Sequence, residues 1–367
     1  MGKDKLRIGL IGCGGIANQK HLPALSKQGD LCEFVAFCDL VEDRAKEAAA
    51  KYGAPGAKVY ADYKRLLEDK SIDVVHVLTP NVAHSPTTCD ALEAGKHVMC
   101  EKPMAHSYAD AKKMLDTAKR TGKKLTIGYQ NRFRDDVQAL RKAVDSGYLG
   151  DIYFAKAHAI RRRAVPTWGV FPNKALQGGG PLIDIGTHAL DLTLWMMGNY
   201  EPKSVTGSVF WKMADAYEGN LFGPWDPKTY EVEDSAFGFI KMANGATIYL
   251  ESSWVLNTTD VKEAATTLCG TKGGAEIKGG SGEPPRLVLN TAKYGKLIDE
   301  GYAAGGGVAY FGGASQSPGE LEARQWLKAV MGEGEALIKP EEALAVTRIL
   351  EAIYKSQETG TTIEFRA

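Results

Sequence analysis

A glycine-rich turn near the N-terminus constrains the fold more than any other feature of the sequence. Residues 6–11, LRIGLI, form a short apolar run that predicts a buried strand, and GCGGIA at 12–17 follows it and opens a helix. The turn fits the pattern G-x-G-x-x-A. Gly12 allows the tight turn, Gly14 lets the backbone approach a pyrophosphate, and Ala17 lets helix and strand pack closely. The pattern is typical of a domain that binds a dinucleotide at a helix N-terminus.

The first third of the chain alternates strands with helices. Further strand-like runs lie at 33–38, 58–60, 72–78, 96–100 and 124–129, and helical segments separate them. Strands joined by helices predict a right-handed parallel sheet that is covered on both faces. We therefore predict an α/β Rossmann domain, a doubly wound parallel sheet, over residues 1–129.

After about residue 130 the pattern changes. A helix at 133–145 is followed by longer strand-like runs at 151–160, 203–213, 234–242, 246–256 and 287–290, interrupted by helical patterns at 182–197 and 341–358. This order predicts an α+β domain over 130–367, built on a mostly antiparallel sheet. Two segments rich in Gly, Pro and aromatic residues, 213–230 and 300–319, are expected to be ordered loops near the site or a subunit interface.

Charge and cysteine content exclude several classes of protein. The 45 Lys and Arg residues balance 45 Asp and Glu residues, so no electrostatic case exists for a nucleic acid or an anionic membrane as partner. The six cysteines form no CxxC pair, and several lie in apolar runs, which favours reduced core residues of a cytoplasmic protein. We expect no signal peptide and no membrane span, because no apolar run is long enough.

The second strand ends in an acidic residue that bears on cofactor choice. Asp39 follows Gly12 by 27 residues, and a carboxylate there accepts hydrogen bonds from the adenosine ribose and repels a 2′-phosphate. We therefore predict NAD rather than NADP, with Gly15 and Ile16 of the same turn also lining the cofactor. The alternative is that Asp39 caps a helix at 41–52.

Two more strand ends carry polar side chains at the carboxyl edge of the sheet, where ligands of doubly wound folds bind. The first is LTPNVAH at 78–84, and the second is CEKP at 100–103. Candidate cofactor contacts in them are Thr79, Pro80, Asn81, His84, Glu101 and Lys102. His84 can cap or orient the ligand, and Lys102 would hold an ammonium at the mouth of the cleft. The alternatives are ordinary turn chemistry and a surface lysine.

The stretch GGGPLIDIGTHALDLTLW at 178–195 places polar residues in an apolar helix pattern. Asp184 and His188 are one turn apart and share a face, with Asp191 near the same stripe. They form either the working face of an active site or a structural polar patch. A metal site is the third alternative, but no convincing third ligand is visible, so we predict no metal.

Five motifs together resemble a known family. GCGGIA, TPNVAH, EKP, GYQNRF at 128–133 and GGGPLIDIGTHALDL look like the glucose–fructose oxidoreductase and inositol dehydrogenase family, and the resemblance covers essentially the full length. It implies a Rossmann domain followed by a domain with an open sheet. That sheet commonly forms the subunit interface, so the resemblance implies a homo-oligomer: a dimer, a tetramer or larger. It also implies a catalytic trio at Lys102, Asp184 and His188.

The reaction implied by the resemblance is hydride transfer from a carbinol carbon to the nicotinamide of NAD. His188, with an ordinary pKa near ~6.5, suits the base that takes the hydroxyl proton. Lys102 can stabilise the alkoxide and the incipient ketone. Asp184 can hold a neighbouring sugar hydroxyl and orient the reacting carbon.

The segment 155–172, AKAHAIRRRAVPTWGVFP, bears on the substrate. Together with GYQNRFRDD at 128–136 it looks similar to glycoside 3-dehydrogenases, particularly those that act on C-glucosides of the puerarin type. Trp168 and Phe171 can line a sugar's apolar face or abut the nicotinamide. Arg161 and Arg163 share a face if the strand continues, and their charges are either solvated or grip the substrate. The expected substrate-binding residues are Asn131, Arg132, Arg163, Trp168, Asp184 and His188.

On this interpretation the C3 hydroxyl of a glucosyl residue is oxidised to a ketone. Three alternatives stay open. An inositol or other cyclic-polyol dehydrogenase shares every catalytic residue. A non-enzymatic NAD-binding regulator would not need the proton-transfer residues. A hydrolase that uses NAD transiently would release product without accumulating reduced cofactor.

Overall fold

The computed structural model describes residues 5–278, 286–302 and 316–365, and the chain divides into two compact units. The first contains Met1–Phe133 and Ser315–Leu344, and the second contains Arg134–Ala314 and Ala345–Ala367. A single boundary at 129/130 therefore differs from the observed division, because a segment near the C-terminus belongs to the first unit.

The first unit is built on a parallel sheet of six strands. They are β1 (Leu6–Ile11), β2 (Cys32–Cys38), β3 (Lys58–Tyr60), β4 (Val74–Val77), β5 (His97–Cys100) and β6 (Leu125–Ile127). Their order is β3-β2-β1-β4-β5-β6, and every neighbouring pair is parallel. The order reverses beside β1, where the chain crosses from β3 to β4. This confirms the doubly wound fold and places the switch point at the carboxyl ends of β1 and β4.

Short helices connect these strands. They are α1 (Leu22–Ser26), α2 (Glu42–Tyr52), α3 (Tyr63–Glu68), α4 (His84–Glu93) and α5 (Tyr108–Thr121). Local sequence sets their ends: Ser107 caps α5 by accepting from the backbone N–H of Asp110, and Gly122 ends it at φ +65°. A π-helical turn over Ala17–His21 precedes α1.

The second unit is built on a nine-stranded sheet. Its strands are β7 (Ile152–Ile160), β8 (Pro202–Phe210), β9 (Ser235–Met242), β10 (Thr247–Ser253), β11 (Lys262–Gly270), β12 (Gly273–Lys278), β13 (Arg286–Lys293), β14 (Lys296–Tyr302) and β15 (Ile363–Glu364). The order is β14-β13-β12-β11-β7-β10-β9-β8-β15. Only the β7–β10 pair is parallel among these described strands, which confirms a mostly antiparallel sheet.

One face of this sheet is covered by helices. The unit contains α6 (Asp135–Asp145), α7 (Lys174–Gln177) and α8 (Thr187–Met197), and α8 packs on β7 and β11. There Thr193 donates to Thr266 Oγ1 at 2.9 Å. A π-helical turn over Leu182–Gly186 runs directly into α8.

Two further helices lie near the C-terminus. They are α9 (Pro318–Val330) and α10 (Pro340–Thr359). Trp326 and Leu327 of α9 belong to the same core cluster as Ile8 and Leu10 of β1. Through this contact α9 packs in the core of the first unit. The periodicity of the sequence does not indicate this packing. Ile353 of α10 belongs to the second unit, where it lies against the glycines of β8 and β9.

The two segments that the sequence predicts to be loops, 213–230 and 300–319, differ in the structure. Residues 213–230 form irregular structure with one short 3₁₀ turn at Pro227–Thr229. The segment 300–319 overlaps the end of β14 and the start of α9, and its residues 303–315 lie outside the described part of the chain. Within the described ranges, no helix is long and apolar enough to cross a membrane.

Candidate active site

The glycine turn has the shape that a bound phosphate requires. Gly12 has φ +98°, and a Cβ there would lie 2.5 Å from the carbonyl oxygen of Leu78, so only glycine fits. A Cβ on Gly14 or Gly15 would meet no described atom within 4 Å. The turn therefore leaves open space in front of the backbone where a pyrophosphate can approach.

Asp39 joins two backbone segments at the end of β2. One carboxylate oxygen accepts from the backbone N–H of Cys13 and the other from that of Val41, both at 2.8 Å. The helix α2 begins only at Glu42, so the side chain stabilises the turn before the helix. Two carboxylate oxygens offer about four lone-pair positions, which leaves acceptors for a ribose diol.

Thr79 and His84 shape the turns that follow β4 and β5. Thr79 Oγ1 is buried and has no hydrogen-bond partner among the described residues, as expected for a group that meets a ligand. The ring of His84 lies 2.8 Å from the carbonyl oxygen of Pro103 and 2.9 Å from that of Thr79. His84 therefore clamps the two turns together. Two other predicted contacts after β4, Pro80 and Asn81, are exposed and partly exposed, and Ile16 of the glycine turn is 38% exposed.

Glu101 is a buried anchor beside Lys102. Its Oε1 accepts from Lys20 Nζ and contacts His21 Nε2, both at 2.8 Å, and its Oε2 accepts from the backbone N–H of Lys102 at 3.0 Å. Burial favours the neutral carboxyl, but Lys20 and His21 outweigh it and hold the pKa of Glu101 well below its ordinary value. The side chain thus supports Lys102 from the protein interior.

The Lys20 ammonium also pairs with a second carboxylate, that of Glu322. Glu322 of α9 accepts from Lys20 at 2.8 Å. Burial, with the charge of Glu101 added, raises the pKa of Glu322 to about 7 although Lys20 opposes the shift. Behind Glu101, the rings of His21 and His76 meet Nδ1 to Nδ1 at 3.2 Å, and burial lowers the pKa of each. Sequence reasoning missed this charged cluster, because most of its members are far apart in the chain.

The turn Gln130–Phe133 corrects one predicted substrate contact. Arg132 has no solvent-exposed surface, and its guanidinium lies 2.5 Å from Glu342 Oε2. It therefore serves an internal ion pair, and its side chain is not available to a substrate. Asn131 in the same turn is partly exposed.

In the second unit, Asp184 lies within the π-helical turn and His188 is the second residue of α8. Turns of this kind occur frequently at functional sites. Asp184 is partly exposed and accepts from Trp254 Nε1 at 3.0 Å, whereas His188 is 9% exposed. The helix around them is apolar and buried, so the two side chains keep the one-turn spacing on a rigid element.

A buried glutamate holds the start of this helical segment. Glu233 accepts from the backbone N–H groups of Gly180 and Leu182, at 2.8 and 3.1 Å, and from the Tyr354 hydroxyl at 2.7 Å. Burial raises the pKa of Glu233, since these neutral donors only partly offset it. A Cβ on Gly180 would lie 2.3 Å from the Glu233 carbonyl oxygen, which explains a glycine before the helix.

The arginine run is only partly solvated. The strand β7 ends at Ile160, and Arg161 Nε donates to Glu263 Oε2 at 2.7 Å. This partly exposed ion pair engages the Arg161 guanidinium within the protein, so its charge is not simply solvated. Arg163 is partly exposed and donates to Asn257 Oδ1 at 2.7 Å.

Trp168 is 51% exposed and lies in the same loop.

The three candidate catalytic residues are divided between the units. Lys102 belongs to the first unit, and Asp184 and His188 belong to the second. No cluster of three or more His, Cys, Asp or Glu residues suited to a metal occurs within the described ranges.

Two family profiles match the chain. One is described as an oxidoreductase family with an NAD-binding Rossmann fold and matches residues 6–129. The other is the GFO/IDH/MocA C-terminal domain and matches residues 137–276.

Individual proteins are also similar. A D-glucoside 3-dehydrogenase of Escherichia coli is 38% identical over 370 residues, which cover 99% of each chain. An inositol 2-dehydrogenase of Salmonella paratyphi B is 32% identical over 201 residues, 54% of this chain and 56% of that one. The crystal structure of an aldose-aldose oxidoreductase from Caulobacter crescentus, complexed with glycerol, matches with a TM-score of 0.80 at 25% identity, over 99% of this chain and 100% of that one.

Proposed function

Because the chain belongs to the GFO/IDH/MocA family of NAD-dependent oxidoreductases, we propose that it oxidises the C3 hydroxyl of a glucosyl residue in a glycoside to a ketone. The observation that carries the proposal is the 38% identity, over 99% of both chains, to a D-glucoside 3-dehydrogenase. The match extends through both units, so it includes the segments around the candidate substrate residues.

The first unit has the features that NAD binding needs. The open backbone at Gly14 and Gly15 suits the pyrophosphate, Asp39 suits the ribose diol, and the buried hydroxyl of Thr79 suits a polar group of the cofactor. When bound, NAD supplies the acceptor for the hydride that leaves the carbinol carbon.

We assign the proton and charge steps to three side chains. His188 takes the proton of the C3 hydroxyl as that carbon loses its hydride, because an imidazole is a base near neutral pH. Lys102 stabilises the negative charge that develops on the oxygen. Asp184, fixed by Trp254, accepts from a neighbouring sugar hydroxyl and orients the reacting carbon.

The product has a chemical consequence. A ketone at C3 acidifies the hydrogen on C2, so a later enzyme can eliminate the group at C1. Oxidation followed by elimination can cleave even a C-glycosidic bond. We therefore propose that C-glucosides are among the substrates.

A cyclic polyol is the second candidate substrate. The 32% identity to an inositol 2-dehydrogenase favours it, but that match spans only 54% of the chain. Both substrates present adjacent ring hydroxyls, and the same three side chains would serve either reaction.

We also propose that the protein is a cytoplasmic homo-oligomer. All six cysteines are free and five are buried, which is typical of a reducing compartment. On the sheet face opposite α8, Phe239 pairs across β9 and β10 with Tyr249 and is 46% exposed. Nearby, Phe210 and Phe237 form a ring pair at 6.0 Å. A second copy would cover these rings, and light scattering after size exclusion measures the subunit number.

A substrate panel tests the reaction class. Purified protein is incubated with NAD and glucose, O- and C-glucosides or inositols, and NADH is followed by absorbance while NMR identifies products. A 3-keto glucoside is expected. An inositol ketone formed in its place would move the assignment to the polyol. If no alcohol is turned over, even with an added keto-sugar acceptor, the result would favour a non-enzymatic NAD-binding regulator.

A further inference from the structure

A file of aromatic rings runs from Asp184 toward solvent in the second unit. Trp254 is fully buried and donates to Asp184. Its ring is followed by Phe171, with centroids 6.3 Å apart, then by Trp168 at 5.9 Å and Phe222 at 4.7 Å. The file therefore links a candidate catalytic carboxylate to an exposed apolar surface.

The outer rings lie on two loops that hydrogen bonds join. Asn220 Oδ1 accepts from the backbone N–H of Val165 at 2.8 Å, and its Nδ2 donates to the carbonyl oxygen of the same residue at 3.0 Å. Thr167 donates to the carbonyl oxygen of Phe222 at 2.6 Å, and the N–H of Leu221 donates to the carbonyl oxygen of Arg163 at 3.0 Å. Four cross-links hold Trp168 and Phe222 in a fixed arrangement, so the surface is preformed.

The outer end of the file exposes apolar side chains to water. Trp168 is 51% exposed, Phe222 is 38% exposed and the adjacent Leu221 is 68% exposed. A contiguous apolar patch of this kind marks a binding surface more often than scattered exposed residues do. Because the file of rings connects this patch to Asp184, the patch would contact the part of a ligand that extends away from Asp184.

We propose that Trp168, Phe171, Phe222 and Leu221 form a subsite for a flat, apolar aglycone of the glycoside substrate. This inference rests on the proposed function, because it assumes that the sugar itself lies at Asp184. The group at C1 would then extend along the file of rings.

The ring geometry favours an aromatic aglycone. Phe171 and Phe222 stand at 75° and 88° to the plane of Trp168. A flat ring that stacks on one of these side chains meets the next one edge-on, and both arrangements are favourable for aromatic pairs. An aryl group at C1 also buries more apolar surface there than a methyl group does, which raises its affinity.

The test compares phenyl β-D-glucoside with methyl β-D-glucoside in Trp168→Ala, Phe222→Ala and a matched control. Trp211→Ala is the control, because Trp211 is 50% exposed and stands outside the file. We expect the wild type to prefer the phenyl glucoside in kcat/KM. Each subsite variant should lower this preference about tenfold, as the loss of one aromatic contact does. The control should keep the wild-type preference, and Trp168→Phe should recover part of it.

Binding is measured separately from turnover. Isothermal titration of phenyl glucoside into protein without added cofactor should show weaker binding in Trp168→Ala and unchanged binding in the control. An unchanged preference and unchanged binding in both subsite variants would overturn the subsite, while oxidation of methyl glucoside would leave the proposed function standing. Conversely, lost binding without oxidation of any glucoside would keep the subsite and refute the reaction.

Discussion

Two buried glutamates perform similar tasks in the two units with opposite electrostatics. Glu101 holds the backbone of Lys102 and faces the Lys20 ammonium and the His21 imidazole. Glu233 holds the start of the segment that carries Asp184 and accepts from three neutral donors. The pKa of Glu101 is accordingly lowered, and burial raises the pKa of Glu233.

The difference shows what each region depends on. The surroundings of Lys102 depend on a compensated charge cluster, in which removing one member leaves another buried charge without its partner. The surroundings of Asp184 depend on hydrogen bonds to the Glu233 carboxylate from two backbone N–H groups and the Tyr354 hydroxyl. The sign of the pH response differs as well. A carboxyl group whose pKa is lowered in the folded state stabilises the fold at pH values above its unfolded pKa, and this stabilisation is lost as pH falls. A carboxyl group whose pKa is raised stabilises the fold at pH values below its unfolded pKa, and this stabilisation is lost as pH rises.

The largest expected effect concerns His188, which follows the helical segment whose start Glu233 holds. His188→Ala should lower turnover by roughly 10² to 10⁴, the usual size of a general-base effect, because it removes the proposed general base. The measurement is kcat with the preferred substrate, and NAD affinity serves as the control because the predicted cofactor residues lie in the first unit. Unchanged turnover would remove His188 from the role.

Exchanging each glutamate for glutamine sharpens the comparison itself. Glu101→Gln removes a charge that compensates Lys20, so the free energy of unfolding should fall by about 3 kcal/mol. Glu233→Gln replaces one acceptor and breaks no ion pair, so the loss should be about 1–2 kcal/mol. Urea unfolding monitored by circular dichroism gives both values. Equal losses, or the reverse order, would contradict the distinction between the two regions.

A third buried glutamate gives a pH dependence with a defined window. Because the folded pKa of Glu322 is about 7 and the unfolded value is ~4.3, the contribution of this residue to stability is complete below pH ~4.3 and is lost as pH rises through 7. Relative to Glu322→Gln, the wild type should therefore lose unfolding free energy between these values. The exposed Glu335→Gln should follow the wild-type profile. Parallel profiles for wild type and Glu322→Gln would contradict the shift.

The smallest expected effect concerns the cofactor. Asp39→Ala should weaken NAD binding about tenfold, because an acceptor for the ribose is lost, and should raise relative binding of NADP. Titration calorimetry with both dinucleotides measures the ratio. A ratio that stays at the wild-type value would refute the ribose assignment.

The sequence predicted the parts of the fold and site that depend on local pattern. The alternation of short apolar runs with helices predicts the parallel sheet, and the glycine pattern predicts the tight turn that Gly12 makes at φ +98°. The roles of Lys102, Asp184 and His188 stay predictions, since they came from motif resemblance and await mutagenesis.

The supporting residues could not be predicted, because contacts between distant segments create them. Lys20 meets Glu322 only because α9 returns to the first unit. Glu233 reaches Gly180 across 53 positions. Arg132 was misassigned for the same reason: the sequence gives no sign that Glu342 lies beside it and removes it from solvent.

Deuterium transfer tests the proposed reaction most directly. Methyl β-D-glucoside carrying deuterium at C3 is incubated with the protein and NAD, and the reduced cofactor is isolated and examined by mass spectrometry. We predict one deuterium in the reduced cofactor and a 3-keto product. Reduced cofactor without deuterium would show that the hydride comes from another carbon and would contradict oxidation at C3.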